Sequence, residues 1–503
     1  MSTTPAQTNY DILILGAGLA GLQCGVILSR NGYKVLVLEK NNHIGGTLQS
    51  FDFKGIQFTT GLHYMGSLDE GQVLNRLFHY FNLLDGISFK RLDEHGFDVF
   101  NIGGKKFALP MGWNAYAAFL IDQFPEEESS VRRYVSAIES TVNEQEIFNL
   151  HEPVNYYHEK PSQSVNAWDF ICSLTENPEL RQVFSALNFV YAGDKNATPW
   201  YVHALINHYF ISSSYRIVGS SSQIPERLKL EIEKTGGQVL TRQKVTKLLF
   251  DEDRLSGVLC EDGSTFFGEK MISNIHPIAT MNLIENGRIR KSFRNRLEQK
   301  TDTLSAFAIY LKLEPGKFRY QNNNYNFYLQ SDVWYASGYD TIRWPEHYFI
   351  HFPADEPDPK WVNHLSIVTH MSFEEVVEWE HLPSNARGAD YKQFKREKAD
   401  KLLKLVFLEF PELEYLITDY TTATPLTFRD YVGSPTGSMY GTLRDYRFPL
   451  ASYVGVRTKI PNLYFTGQNL NLHGVMGVSM SALLTCAEFV NLPDLLNKIN
   501  DQS

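Results

Sequence analysis

Cysteine is scarce in this chain. Only Cys24, Cys172, Cys260 and Cys486 occur in 503 residues, and no two stand at thiol-pair or zinc spacing. That excludes a disulfide-stapled scaffold, argues for a reducing compartment, and leaves no metal site to expect. Cys24 and Cys486 sit in apolar runs and read as small core hydrophobes. Basic clusters are missing too: net charge is −10 without a long Lys/Arg block, which excludes nucleic acid as a partner. No uninterrupted apolar run reaches the roughly 18 residues that a spanning helix needs. The opening MSTTPAQTNYD has neither Lys nor Arg and no apolar core, so a cytoplasmic protein without a signal peptide is expected. Peripheral membrane contact stays open.

What the chain does have is length and aromatic mass. It is long enough for about two or three domains. Its 33 Phe, 27 Tyr and 7 Trp suit either a large core or a large apolar pocket.

The stretch DILILGAGLAGLQCGVILSRNGYKVLVLEK, residues 11–40, organises the rest. A short apolar strand leads into Gly16, Gly18 and Gly21 in GxGxxG spacing. An amphipathic helix over 19–30 follows, then a stop at Asn31-Gly32, a second strand over 34–38, and Glu39 with Lys40 behind it. Strand, glycine turn, helix, strand and acid in that order form the dinucleotide-binding fingerprint. Gly16 permits the turn, Gly18 admits a pyrophosphate, and Gly21 lets the helix pack close. Glu39 accepts hydrogen bonds from a ribose diol and repels a ribose phosphate, favouring FAD or NAD over NADP. The pair Gly45-Gly46, followed by Thr47, fits the FAD version of this fold, with backbone lying along diphosphate and flavin.

Further on, residues 51–58 read as a hairpin, and Gly61 and Gly66 bracket His63 and Tyr64. Helices are expected over 70–84 and 129–148 and through most of 167–209, with strands over 97–109 around Gly103-Gly104, and an aromatic-rich helix over 113–124 is the expected membrane contact. Strands return over 238–273, where Val245 can present backbone to an adenine. Another sheet is expected from 307–313, 325–329, 348–351 and 364–371, then a long helix over 390–410. A glycine-rich loop carries Tyr431 and Tyr440. A final strand ends at Gly467, and a helix over 479–490 follows the segment containing Met476, Gly477 and Val478. The fold class is therefore α/β. A Rossmann-like, glutathione-reductase-type FAD domain (9–70, 215–285 and 455–495) carries an inserted α+β substrate domain (71–214 and 286–454).

Three separated blocks, GAGLAGL…EK…GGT, SSSQIPERLKLEIEKTGGQVL…MISNIHP and NLYFTGQNLNLHGVMGVSMSALL, resemble the phytoene desaturase, carotenoid isomerase and retinol saturase flavoproteins. GLHYMG and TPLTFRDYVGSPTGSMYG are similar to the saturase and isomerase side of that group. The resemblance implies non-covalent FAD and a polyene or other apolar isoprenoid substrate. It places Gly16, Gly18 and Gly21 at the diphosphate, Glu39 and Lys40 at the ribose, and Gly45, Gly46 and Thr47 beside the flavin. Val245 would meet the adenine, and Gly467 with Met476, Gly477 and Val478 would lie against diphosphate and isoalloxazine. Two positions depart from the family's pattern: Thr59, where relatives carry Asp, and His473, where they carry Pro. The expected reaction is saturation or desaturation of a C–C/C=C bond, with His63, Tyr64, Tyr431 and Tyr440 as proton-donor candidates and the electron partner left open. Flavin-dependent cis–trans isomerisation, amine-oxidase-like chemistry on a small substrate, and a carrier of apolar lipid remain alternatives.

Overall fold

The computed structural model describes residues 9–153, 159–285 and 287–501. Most of the N-terminal stretch read above as lacking a targeting signal lies outside them. Two seven-stranded sheets, a small three-stranded sheet, two two-stranded pairs (one the hairpin Ser50–Phe53 with Ile56–Thr59) and surrounding helices make up the described residues.

The first sheet is built around Asn9–Leu15. Its continuous apolar run is buried on both faces, as a central parallel strand requires. It pairs in parallel with Val35–Leu38 on one side (Ile12 against Val35) and with Thr265–Ser273 on the other (Leu13 against Met271). Gln238–Leu240 extends the first edge. On the second, Thr265–Ser273 divides its pairing. Its first half takes the antiparallel hairpin of Arg254–Cys260 and Val245–Asp251; its last residues take the parallel strand Leu463–Phe465. The end of the chain thus closes the sheet that its beginning opened.

The crossover helix Leu19–Arg30 is buried along nearly its whole length, packed between sheet and two further helices, Gln223–Lys234 and Gly474–Cys486. The latter begins earlier than the sequence predicts, so Met476, Gly477 and Val478 form its first turn rather than a preceding loop. Glycine disfavours helix interiors, which hides this start from a propensity reading. Packing overrides propensity: a Cβ on Gly477 would stand 2.5 Å from the Leu472 backbone.

The second sheet runs Ile417–Ala423, Ser305–Leu313, His364–Met371, His347–His351, Asn324–Tyr328, Asp98–Ile102 and Lys105–Leu109. Its side chains alternate between two cores, following the period-2 geometry of strands. Phe307, Ile309, Tyr348, Ile350, Leu365 and Ile367 pack toward the long helix Gly388–Glu409. Ala308, Tyr328, Phe349 and Val368 face the opposite way, into the core shared with the first sheet. The strands Met65–Gly66 and Phe89–Arg91 flank Ser214–Ile217 in the third sheet.

The helix Trp113–Gln123 turns its aromatics inward. Tyr116 is buried, Trp113 and Phe119 are half-buried, and the Trp113 indole donates to His208 Nδ1 over 3.3 Å. No described helix is long and apolar enough to cross a membrane.

Candidate active site

A cavity of about 460 Å³ opens where the first sheet ends and the second begins. Its near half is a backbone cradle. Gly16 and Gly18 line it at the carboxyl end of Asn9–Leu15. Gly45 and Gly46 lie alongside, tied by a bridge from Gly18 to Gly45 and by the Gly45 N–H donating to the Ala17 carbonyl over 2.8 Å. The Gly45 φ of 110° suits glycine alone, and a Cβ there would meet Pro225 at 2.8 Å. Gly467 completes the cradle from the last strand. Two helix N-termini, those of Leu19–Arg30 and Gly474–Cys486, meet the cradle without a side-chain cap, so their backbone N–H groups are offered to an anion.

Glu39 closes this half. Its Oε2 accepts from the Ala17 N–H over 3.0 Å and its Oε1 from the Asn41 N–H over 2.9 Å. Burial raises its pKa, while these N–H groups and Lys40 pull it back. A carboxylate has about four lone-pair directions, so two protein bonds leave acceptors for a diol. Lys40 donates to the Asp430 carbonyl over 2.9 Å, and Val245 lines the cavity at an irregularity in its strand pairing. The residues present fit a dinucleotide: an acid for a ribose, bare backbone and uncapped helix ends for a diphosphate.

The far half is apolar and aromatic. Leu62, Met65, Phe189, Phe210, Phe349 and Val368 line it. His63 packs 5.5 Å from Phe349 and 4.9 Å from His351, ring centre to ring centre, and neither of its nitrogens has a protein partner. Burial, with the charge of Arg216, pushes His63 down to about 4, so the imidazole is neutral at neutral pH. Tyr64 packs against Phe210 at 4.5 Å and donates to Asp98 Oδ2 over 2.8 Å; burial and Asp98 raise its pKa well above the ordinary value. Tyr440 lies 4.6 Å from His473, whose Nε2 donates to the Val190 carbonyl over 3.0 Å. That bond gives the His473 departure a local role: it ties the start of the helix Gly474–Cys486 to the aromatic half.

Of the residues singled out from sequence, Gly16, Gly18, Glu39, Lys40, Gly45, Gly46, Thr47, Val245, Gly467, Met476 and Val478 line the cavity, as do His63, Tyr64, Tyr431 and Tyr440. Gly21 and Gly477 do not line it. Their Cβ positions would stand 2.3 Å from the Gly16 carbonyl oxygen and 2.5 Å from Leu472 backbone, so both act by close packing behind the cradle. Tyr431 stands at the Lys40–Asn41 end, with its carbonyl accepting from Asn41 and its side chain largely exposed, apart from Tyr64. Sequence reasoning missed Asn274, whose amide donates to the Gly16 carbonyl over 3.2 Å and sits beneath Gly18, Gly21 and Gly467. Its signal is its place at the end of the strand that pairs with the fingerprint strand. Asp98, Asn324 and Arg216 were missed as well; only tertiary pairing brings them behind Tyr64.

Residues 19–489 match the family model for flavin containing amine oxidoreductases. The chain is 28% identical to all-trans-retinol 13,14-reductase of Rattus norvegicus, over 96% of this chain and 86% of that one. It is 24% identical to prolycopene isomerase 2 of an Oncidium hybrid cultivar, over 96% of this chain and 84% of that one. Among solved structures, putrescine oxidase bound to putrescine superposes with a TM-score of 0.62 at 13% identity, covering 98% of this chain and 100% of the other, a likeness of fold. With a family match spanning nearly the whole chain and a dinucleotide cradle within it, this protein belongs to the flavin-containing amine oxidoreductases.

Proposed function

We propose that the chain binds FAD non-covalently and acts on a C–C or C=C bond of an apolar isoprenoid, of the retinoid or carotenoid kind. The observation that carries this reading is the continuity of one cavity from the glycine cradle and Glu39 to an aromatic far half. The similarity to enzymes named for all-trans-retinol and prolycopene supports the substrate class.

In this reading Glu39 accepts from a ribose diol, and the cradle with its two helix ends holds the diphosphate. Bound FAD supplies hydride chemistry that no side chain here provides. The chain's own residues do the rest. Phe189, Phe210, Phe349 and Val368 exclude water and align a flat polyene. Tyr64 and Tyr440 present phenols, and His63 a neutral imidazole, to the bond that changes.

Purified protein is expected to be yellow and to release intact FAD on denaturation. Anaerobic incubation of flavin-loaded protein with a polyene extract, followed by product mass, tests the reaction. A gain or loss of two hydrogens supports the reading. Unchanged mass with an altered spectrum would turn it into isomerisation, and no product with any polyene would overturn it.

A further inference from the structure

Behind Tyr64 the cavity wall is polar. Asp98 Oδ2 accepts from Tyr64, and Asp98 Oδ1 accepts from the Asn324 amide over 2.9 Å. Asn324 Oδ1 in turn accepts from Arg216 Nη2 over 3.0 Å. Asp98, Asn324 and Arg216 are all fully buried. Asp98 and Asn324 are register partners on adjacent strands, and the strand carrying Arg216 pairs with Met65–Gly66, next to Tyr64. The other Arg216 bonds go to neutral groups: the Tyr320 hydroxyl and the carbonyls of Gln321, Asn323 and Phe352. The carboxylate whose charge Arg216 feels is Asp98. A buried charge needs a compensating partner, yet Asn324 stands between the two, leaving one carboxyl oxygen for Tyr64.

The phenol has one hydrogen. While Asp98 is ionised, the Tyr64 O–H points at it, and the Tyr64 oxygen turns lone pairs toward the cavity. Once Asp98 holds a proton it donates to the Tyr64 oxygen, and the phenol hydrogen is free to face a substrate carbon. We propose that Asp98 is a positioning residue, acting through Tyr64, whose protonation decides whether that hydroxyl gives a proton to the cavity or takes one from it. The inference rests on the reading above that alkene chemistry occurs in this cavity. In the reducing direction the Tyr64 O–H breaks as its proton forms a C–H bond at one alkene carbon. The Asp98 proton moves to the Tyr64 oxygen and leaves a carboxylate. The neighbouring carbon receives hydride from flavin reduced beforehand by an external two-electron donor. Oxidation reverses each transfer.

Burial pushes Asp98 up to about 6, against the pull of the Asn324 and Tyr64 hydrogen bonds and the Arg216 charge. The other titratable groups around the pair are Tyr328, Tyr440 and Tyr320, phenols that burial raises, and His63 and His351, which face Arg216 and are kept neutral by burial. Asp98 is the group of this cluster that changes charge near pH 6.

Infrared titration of the flavin-loaded protein reads the carboxyl directly. A protonated-carboxyl band should appear below about pH 6 and be absent in Asp98→Asn. Its midpoint should rise in Tyr64→Phe, which removes a hydrogen bond that favours the carboxylate. Reductive turnover should fall as pH rises through that midpoint in the parent protein and lose this dependence in Asp98→Asn. Where Asp98→Asn fails to fold, Tyr64→Phe, one oxygen smaller, carries the test. A midpoint unmoved in Tyr64→Phe, or an unchanged pH profile in Asp98→Asn, overturns the proposal. A Tyr64-coupled carboxyl in a protein that turns over no polyene supports the pair and sinks the polyene reading instead.

Discussion

At the scale of single residues, environment separates the sequence's proton-donor candidates. Tyr64 has a buried acid behind it and the cavity before it. His63 has neither a protein partner nor, at neutral pH, a charge. Losing a general acid costs about a hundredfold to ten-thousandfold in rate. Tyr64→Phe is therefore expected to lose turnover on that scale with flavin uptake intact. His63→Gln should lose less, because no buried acid stands behind the neutral imidazole to replace a proton it gives. Single-turnover assays on pre-reduced protein compare the two, and a larger loss in His63→Gln reverses the assignment. Glu39 is a binding residue in this reading. Charge-assisted hydrogen bonds contribute about 1.5–3 kcal/mol, so Glu39→Gln should weaken FAD binding roughly tenfold to a hundredfold, read by fluorescence titration.

At the scale of elements, the crossover helix and its glycine turn divide one motif into two physical tasks. A Cβ on Gly18 meets only the end of the Asn274 side chain at 2.9 Å, which can swing aside. A Cβ on Gly21 meets the Gly16 carbonyl oxygen at 2.3 Å, and backbone cannot swing. Gly18→Val should fold, with a thermal midpoint close to the parent apoprotein, and fail to take up FAD. Gly21→Val should lower apoprotein stability by at least the about 1–3 kcal/mol of an overpacked core. Circular dichroism melting of both apo variants checks this; equal destabilisation would remove the distinction. The GxGxxG spacing was legible in the sequence, but this division was not, because Asn274 lies far along the chain and meets the motif only through sheet pairing.

At the scale of the whole molecule, buried histidine sets the response to acid. Burial holds His63, His208 and His473 at about 4, and His203 and His370 at about 3. His347 and His351 are lowered well below the usual value. Unfolded imidazoles titrate near 6.5, so below that pH the unfolded chain takes up protons that the native state refuses. The stability these groups contribute is complete above about pH 6.5 and is lost as pH falls toward 4. Each contributes about 1.4 kcal/mol per pH unit inside that window. Asp98, Glu39 and Glu346, carboxyls that burial raises, act oppositely, three groups against seven. Denaturant unfolding at pH 7.5, 6.5 and 5.5 should give a small drop over the first interval and a drop roughly three times as large over the second. A flat response would mean that these imidazoles are not held neutral in the folded protein.

The sequence alone determined the fingerprint, because its parts are local: an apolar strand, glycines at fixed spacing, a helix and an acid lie within one stretch of chain. It also placed most strands of both sheets, since alternation and continuous apolar runs are local patterns too. Tertiary structure decided what depends on distant partners. It started the helix Gly474–Cys486 at Gly474, where contact of Gly477 with Leu472 demands glycine despite its poor propensity. It carried Tyr431 away from Tyr64 and turned the Trp113–Gln123 aromatics inward. It set Asp98 behind Tyr64, because the register of Asp98 with Asn324 and the strand carrying Arg216 assemble only when separate stretches of chain pair.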